Sequence, residues 1–324
     1  MNLLVTGGAG FIGSEFVRSA LNGNFKEFGI EISKIRVIDA LTYAGNLDNL
    51  KSIASDDRFD FVHGNICDQS LVTKITQDID CVINFAAESH VDKSILNSNL
   101  FLESNILGLN TLLNATLQNR VKKFVQISTD EVYGSISTGS WDEYSPLLPN
   151  SPYSASKASG ELLLRSYINT YGINVITTRC SNNYGPFQNI EKLIPLVITN
   201  LLNGKKVPVY GDGKNVREWI HVSDHVRAVA FLLAHGTNGE TYNIGSGNEI
   251  ENIELVNLII QLFGLDSKFV EFVKDRPGHD RRYSINSNKI SKLGFKSLIN
   301  FPDGLSETIN WYKQNIEWWS SQKP

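Results

Sequence analysis

The feature that most limits what this chain can fold into is a regular alternation, through its first half, of short β-rich runs and longer segments of helical period. The runs are Asn2 to Thr6, Ile35 to Asp39, Phe59 to His63, Asp80 to Phe85 and Lys123 to Ser128, with helical stretches such as Phe101 to Leu117 between them. Strands joined by helices of that length make right-handed crossovers, and such crossovers build a parallel sheet covered on both faces. The expected fold class is therefore α/β, a Rossmann-type doubly wound parallel sheet with a smaller C-terminal α/β lobe for binding substrate. A helix from about Tyr153 and a strand at Asn174 to Arg179 continue the pattern, which then breaks at Gly185-Pro186, Pro195, Pro208 and Gly211 to Gly213. This places the sheet domain at residues 1–182 and the smaller lobe mainly at 183–324. The strand-like runs Trp219 to His221 and Thr241 to Ile244 are expected to return to the first domain, within about 217–245.

Composition removes several classes of function. A chain of 324 residues with 41% apolar side chains can bury a real core. Its net charge of −4 offers no basic footprint, so no nucleic-acid partner is expected. No segment approaches the roughly 20 apolar residues of a membrane span. The first residues run straight into a strand and a glycine turn rather than a basic stretch and an apolar one. The expected location is the cytoplasm, with no membrane partner. Cys67, Cys81 and Cys180 are odd in number and widely spaced, and they read as buried thiols of a reducing compartment. His221 and His225 have the spacing of helical zinc ligands, but Val222 stands where a metalloprotease needs Glu, and no metal is expected. No serine lies in a Gly-x-Ser-x-Gly elbow, which leaves a nucleophilic hydrolase without support.

The first strand runs into Gly7, Gly10 and Gly13, with Phe11 and Ile12 opening the following helix. Glycines so placed allow a tight turn, close backbone approach to a pyrophosphate and close helix packing, with the helix N-terminus facing the phosphates. A glycine turn without a ligand is the competing reading. Against it stands Asp39 at the end of the second strand, where a carboxylate can accept from ribose hydroxyls and would repel a 2′-phosphate, favouring NAD over NADP. Asp39 can also merely cap the next turn. Its distance from the glycines is lengthened by the polar loop Asn22 to Lys34. Asn65 and Ile66 follow the third strand where an adenine edge would be met, and Phe85, Ala86, Ala87, Glu88 and Ser89 form a turn of mostly small residues.

Tyr153 and Lys157 are four residues apart and share a helix face. A phenol with a reference pKa of about 10 needs a shift worth up to ~4 kcal/mol to act as a base at neutral pH, and a neighbouring ammonium pushes that way. Thr129, Asp130 and Glu131 follow the Lys123 to Ser128 strand, at the carboxyl end where open α/β sheets place their ligands. Thr129 can hold the oxygen that Tyr153 deprotonates. Two neighbouring carboxyls in a partly dry cleft resist joint ionisation, so one can act as acid and the other as base. Successive strand residues point to opposite faces, so both carboxyls reach one substrate only if the backbone leaves strand geometry at Thr129. That departure is predicted.

With these residues in view, the chain resembles the extended short-chain dehydrogenase/reductases, and among them the dTDP-glucose 4,6-dehydratases, over essentially its whole length. The resemblance rests on Thr6-Gly-Gly-Ala-Gly-Phe-Ile-Gly13, Leu41-Thr-Tyr-Ala-Gly-Asn46, Ala86-Ala-Glu-Ser-His-Val-Asp92, Ser128-Thr-Asp-Glu-Val-Tyr-Gly134, the Tyr153/Lys157 helix, Ser181-Asn-Asn-Tyr-Gly-Pro186, Glu191-Lys-Leu-Ile-Pro195 and Asp275-Arg-Pro-Gly-His-Asp280. It implies a tightly bound NAD and a redox-neutral cycle: C4 oxidation of a nucleotide-linked hexose, loss of water across C5 and C6, and hydride return to C6. By the same likeness Tyr153 is the C4 base, Lys157 holds the nicotinamide ribose, Glu131 takes the C5 proton and Asp130 protonates the leaving 6-hydroxyl. Ala40, Leu41, Thr42, Ser104 and Asn183 join the cofactor contacts. Ser89, Thr129, Asn182, Lys192, Leu193, Pro208, Tyr210, Arg217, Asn252, Arg276, His279 and Tyr283 line the sugar-nucleotide site. A homodimer through a four-helix bundle, built from the Phe101 to Leu117 and Tyr153 to Tyr171 helices, is also implied. The chain departs from the family pattern at Asn65, where Asp is usual, at Glu218, where Asp is common, and at Gly247, where Gly-His-Asn is expected. A C4 epimerase, decarboxylase or dehydratase of another nucleotide sugar shares the scaffold, and a noncatalytic NAD-binding sensor or scaffold would keep the fold without the chemistry.

Overall fold

The computed structural model describes residues 1–322. Its strands are β1 Asn2–Thr6, β2 Lys34–Asp39, β3 Phe59–His63, β4 Cys81–Asn84, β5 Lys123–Thr129, β6 Val175–Cys180, β7 Asn182–Tyr184, β8 Val207–Tyr210, β9 Val216–His221, β10 Thr241–Ile244, β11 Glu249–Glu251 and β12 Val270–Val273. Seven of them form one parallel sheet in the order β10-β6-β5-β4-β1-β2-β3. Alternate residues of each strand feed two apolar layers. Leu3, Val5, Ile35 and Val37 pack to one side with the helix Phe11–Leu21. Leu4, Ile38, Val82 and Phe124 pack to the other with the helix Leu109–Gln118. A sheet buried on both faces explains why its strands read as continuous apolar runs. The strand order reverses between β1 and β4, and a crevice opens beyond the carboxyl ends of the strands at such a reversal.

The two returning segments part company. β10 joins the sheet beside β6, with Thr241 paired to Thr177. Trp219 to His221 does not return to it, because β10 already covers the free edge of β6. These residues belong to β9, which pairs in parallel with β7 (Asn182 with Trp219) and antiparallel with β11, in a separate three-stranded sheet. β8 and β12 form a further two-stranded sheet. The second apolar core lies there, around Val197, Trp219, Leu255, Ile259 and Tyr312. It is closed by the helix Phe301–Gln314 and the short helix Ile316–Ser320.

Two further expectations are corrected. The Phe101 to Leu117 segment is not one α-helix, because a π-helical turn at Glu103–Gly108 separates Asn99–Leu102 from Leu109–Gln118. There the Asn105 amide bonds both backbone groups of Glu88, at 3.0 and 3.1 Å, and the Ser156 hydroxyl at 2.9 Å. The widened turn thus meets the loop after β4, and π-turns recur where a helix serves a site. Cys81 and Cys180 are buried, but Cys67 is exposed, because it lies in the turn after β3 rather than within the sheet.

Candidate active site

The turn after β1 is shaped by the absence of side chains. Gly7 has φ +65°, and a Cβ there would lie 2.6 Å from the Ala86 nitrogen. A Cβ on Gly13 would run into the Gly7 carbonyl oxygen. Asp39 braces the turn, one carboxylate oxygen accepting from the Ala9 N–H at 2.9 Å and the other from the Leu41 N–H at 2.8 Å. Each oxygen retains a lone pair for a hydroxyl, so the capping and ribose-binding readings of Asp39 are compatible. Burial pushes its carboxyl above the ordinary value, and the two backbone bonds oppose that.

From this turn a cavity of about 420 Å³ runs along the carboxyl edge of the sheet. Gly7, Gly10, Phe11, Ile12, Gly13, Asp39, Ala40 and Thr42 line one end, with Asn65 and Ile66 beside them. Phe85, Ala86, Ala87, Glu88, Ser89 and Ser104 follow, and Thr129, Asp130, Glu131, Tyr153, Lys157, Asn182, Asn183, Lys192 and Leu193 line the other end. Leu41 does not line it. With φ +50° its side chain turns away and packs against the apolar layer below. An elongated cleft with a side-chain-free cradle at one end, a bracing carboxylate beside it and a Tyr/Lys pair at the other fits a dinucleotide such as NAD.

At the end of β5 the backbone leaves strand geometry as predicted. Thr129 is the last extended residue, and Asp130–Tyr133 form a 3₁₀ turn that ends at Gly134, φ +77°. The Thr129 hydroxyl caps the turn, accepting from the Glu131 N–H at 3.3 Å and donating to an Asp130 carboxylate oxygen at 3.2 Å. Asp130 Oδ2 and Glu131 Oε2 are buried without a hydrogen-bond partner among the described residues. Behind the turn, Ser128 donates to Glu161 at 2.5 Å, Glu161 pairs with Arg179 at 2.6 Å, and Arg179 donates to the Tyr133 hydroxyl at 2.6 Å.

The two carboxyls feel opposite neighbours. Burial pushes Asp130 well above the usual carboxyl range, and the carboxylates of Glu131 and Glu218 push it further. Burial also raises Glu131, but Arg217, Arg276 and Lys192 pull it back. Tyr153 departs from expectation. Burial drives its phenol well above 10, Glu131 adds to that, and the Thr129 hydroxyl opposes it. Lys157 does not outweigh this: its ammonium donates to the Ile127 carbonyl at 2.7 Å, and burial lowers its own pKa to about 8. That ammonium is still largely charged at neutral pH, but it does not offset the burial of the phenol, which needs a further positive charge to ionise.

The remaining residues of the expected sugar-nucleotide site lie outside this cavity. Arg217 is buried, stacked 4.3 Å over the Tyr283 ring, and donates to the carbonyls of Val216 and Asp280. Tyr283 donates to Asp280 at 2.7 Å. Arg276 meets Asp92 at 3.4 Å, and His279 meets Asp275 at 2.6 Å with its ring edge-on to Tyr210. Pro208 and Tyr210 lie in β8, and Asn252 opens the helix Asn252–Leu262 with its amide oxygen buried and unpartnered. Arg217 and Arg276 nonetheless act on Glu131, which joins this group to the Tyr153 end of the cavity. Glu218 accepts from Gly247 N–H at 2.8 Å, so two of the departures from the family pattern contact each other.

A family model described as GDP-mannose 4,6 dehydratase matches residues 4–308. The dTDP-glucose 4,6-dehydratase of an Actinoplanes strain is 50% identical over 321 residues, 99% of this chain and 100% of the relative. The crystal structure of dTDP-glucose 4,6-dehydratase from Streptomyces venezuelae, with NAD and dTDP bound, superposes with a TM-score of 0.98 at 51% identity over the whole of both chains. This chain belongs to the dTDP-glucose 4,6-dehydratase family. A UDP-glucose 4-epimerase from Thermus thermophilus, solved with NAD, shares the fold at a TM-score of 0.87 but only 29% identity, covering 97% of this chain and all of the epimerase.

Within a dehydratase scaffold, several cavity-lining residues escaped the sequence reading. Gly45 brings its backbone against Asp39, where a Cβ would be 2.7 Å from Oδ1. It lies inside the Leu41 to Asn46 motif, so the signal was present. Cys180 ends β6 at the same sheet edge as Thr129 and Ser181 follows it, and strand-end position alone would have found them. Gln188 and Trp219 line the cavity from the second lobe, and no local pattern marks them.

Proposed function

We infer that this chain dehydrates dTDP-glucose to dTDP-4-keto-6-deoxyglucose, with tightly held NAD⁺, in deoxysugar biosynthesis. The observation that carries the reading is the unequal surroundings of two adjacent carboxyls: carboxylates outnumber the one cation, Arg217, around Asp130, and three cations outnumber the one carboxylate, Asp280, around Glu131. Environments that push paired carboxyls apart assign the acid and the base. An epimerase needs no such pair, since it breaks no C–O bond.

Bound NAD⁺ supplies the hydride acceptor for C4, the positive charge that helps ionise Tyr153, and the same electrons back at C6. Tyr153 takes the proton of the 4-hydroxyl while Thr129 holds that oxygen. The resulting ketone acidifies C5–H, and Glu131 removes that proton. Asp130, kept protonated by its neighbours, gives its proton to the departing 6-hydroxyl, and water leaves. Glu131 then returns a proton to C5. Lys157 anchors the nicotinamide ribose, while Asp39 takes the adenosine ribose and Asn65 and Ile66 meet the adenine. Arg217 and Arg276 take the diphosphate, Arg being suited to bidentate phosphate contacts, and Tyr210 flanks the base. Incubation of the purified protein with dTDP-glucose is expected to give the alkali-induced absorbance of a 4-keto sugar without added reductant. Product from a UDP or GDP sugar instead would reassign the nucleotide, and bound NAD with no product from any of them would leave a sensor or scaffold.

The protein works as a cytoplasmic homodimer. Leu100, Leu102, Leu107, Leu162 and Tyr171 are 45–62% exposed along the helices around Asn99–Gly108 and Pro152–Tyr171, while Leu109, Leu112, Leu113 and Leu164 are buried in the subunit's own core. An outward apolar stripe on two neighbouring helices suits pairing across a two-fold axis as a four-helix bundle. A monomer by light scattering would remove this part of the reading. Among the described residues no helix is long and apolar enough to cross a membrane.

A further inference from the structure

We propose that Trp318, in the C-terminal helix Ile316–Ser320, is a positioning residue for the cofactor turn, acting through Asn49 to keep the backbone between Gly7 and Gly13 in the shape that retains NAD. The inference takes from the proposed function only that NAD is the ligand of that turn.

Three hydrogen bonds run from the end of the chain to its beginning. The Trp318 indole N–H donates to Asn49 Oδ1 at 3.0 Å. Asn49 Nδ2 donates to the Ala9 carbonyl at 2.9 Å. The N–H of Ala9 donates to Asp39 Oδ2 at 2.9 Å. Ala9 is thus held on both of its backbone groups, its carbonyl by Asn49 together with the Asn46 N–H at 3.0 Å, and its N–H by the acid that braces the glycine turn. The sense of the relay is fixed by chemistry. An indole is a donor only, so the amide must turn its oxygen to Trp318, which leaves its NH₂ for the Ala9 carbonyl. Without the indole, only the Ala9 carbonyl holds the amide in this orientation, and its buried oxygen loses a partner.

The surroundings make this a seated contact. Asn49 is 2% exposed, and its own carbonyl accepts from Arg18 at 2.5 Å. Arg18 stacks 4.2 Å from the centroid of Phe187, and Phe187 meets the Trp318 ring edge-on at 5.6 Å. Trp311 packs on both rings, 4.9 Å from Trp318 and 4.5 Å from Phe187. The second lobe therefore reaches back across the molecule to the first turn of the sheet domain. A cycle that consumes its reduced cofactor in place requires slow NAD release, and a strut from the last helix to the phosphate turn serves that requirement.

The test compares NAD retention in Trp318→Phe, which keeps an aromatic ring but loses the N–H, Asn49→Ala, which breaks the middle of the relay, and Trp311→Phe, a packing control. NAD per protomer after gel filtration, NAD affinity of stripped protein, melting temperature, and kcat at saturating NAD are read for each. The relay predicts NAD bound at least tenfold more weakly in Trp318→Phe and Asn49→Ala, with kcat at saturating NAD within about twofold of the parent and Trp311→Phe unaffected. Asn49→Ala decides the matter if Trp318→Phe does not fold. Parent-like retention in the relay variants, or an equal loss in Trp311→Phe, overturns the proposal. A parent protein that binds NAD but makes no keto sugar would refute the proposed dehydration, and the retention data would still decide the relay. A parent that binds no NAD at all would overturn both.

Discussion

The turns that follow β1 and β5 lie at the same edge of one parallel sheet, and they are built on opposite principles. At β1 the working groups are backbone atoms, and the sequence makes room for them by removing side chains: a Cβ at Gly7 or Gly13 would strike the backbone of Ala86 or of Gly7. At β5 the working groups are side chains, and the backbone serves by folding into a 3₁₀ turn that brings Asp130 and Glu131 out of their alternating strand directions. One turn depends on side chains that are absent, with Ala86, Asp39 and Asn49 closing around the space. The other depends on charges, since Arg217, Glu218 and Arg276 set the balance between its carboxyls. A steric site should therefore fail all at once when it is filled, and an electrostatic one should fail by degrees.

The largest effect is expected where the steric rule is broken. In Gly13→Val the added carbons meet the Gly7 carbonyl and the Gly8 Cα, and displacing a tight turn by that much costs up to about 3 kcal/mol. NAD affinity is then expected to fall by roughly a hundredfold, with turnover lost alongside it. Calorimetric titration of stripped protein checks this, and parent-like affinity would show that the turn is softer than its contacts imply.

At the second turn, Glu131→Gln preserves shape and removes the proposed base. The expected outcome is a roughly 10²- to 10⁴-fold fall in turnover, the range general acid–base groups supply, with NAD still bound and C4 oxidation still visible as reduced nicotinamide on mixing with the sugar nucleotide. If turnover is unchanged, Glu131 is not the base. If NAD is lost too, the two turns are less independent than their construction suggests.

The same contrast explains how much of the molecule was legible in its sequence. The parallel sheet was readable because a strand buried on both faces must be apolar throughout and a crossover must be long. The β1 turn was readable because steric exclusion writes itself as glycine at fixed spacing. The departure from strand geometry at Thr129 followed from the pleat once both carboxyls were assigned to one substrate, since two adjacent strand residues cannot face it together; that the departure is a 3₁₀ turn did not. What could not be read was long-range. The place of β9 depended on β10 having taken the edge of β6. The π-turn at Glu103–Gly108 depended on Asn105 meeting Glu88 and Ser156. The state of Tyr153 depended on how deeply Lys157 and the carboxyls beside it are buried, which spacing on a helix does not report. The residues of the second lobe came from family likeness, and their separation from the main cavity is a fact of tertiary structure.

The smallest effect concerns Glu218, which stands outside both turns and touches the chemistry only through its field. Its carboxylate raises the pKa of Asp130 while accepting from the N–H groups of Gly247 and Ile285 at 2.8 and 3.3 Å. Glu218→Gln keeps an acceptor for Gly247 and removes the charge, so the folded-state pKa of Asp130 should come down. The sign for activity follows directly: an acid that deprotonates earlier is lost earlier, and the alkaline limb of the kcat profile should move to lower pH by less than about one unit. Stability moves in the matching sense. A carboxyl raised in the folded state contributes stability that is full below its unfolded pKa and is lost as pH rises through the folded one. With the folded pKa lowered, that window narrows from its alkaline side. A pH series of kcat with parallel melting curves reads both. An alkaline limb that stays in place, or moves upward, would mean that Glu131 and burial alone keep Asp130 protonated, and the β5 turn would then be a more local device than its neighbours make it.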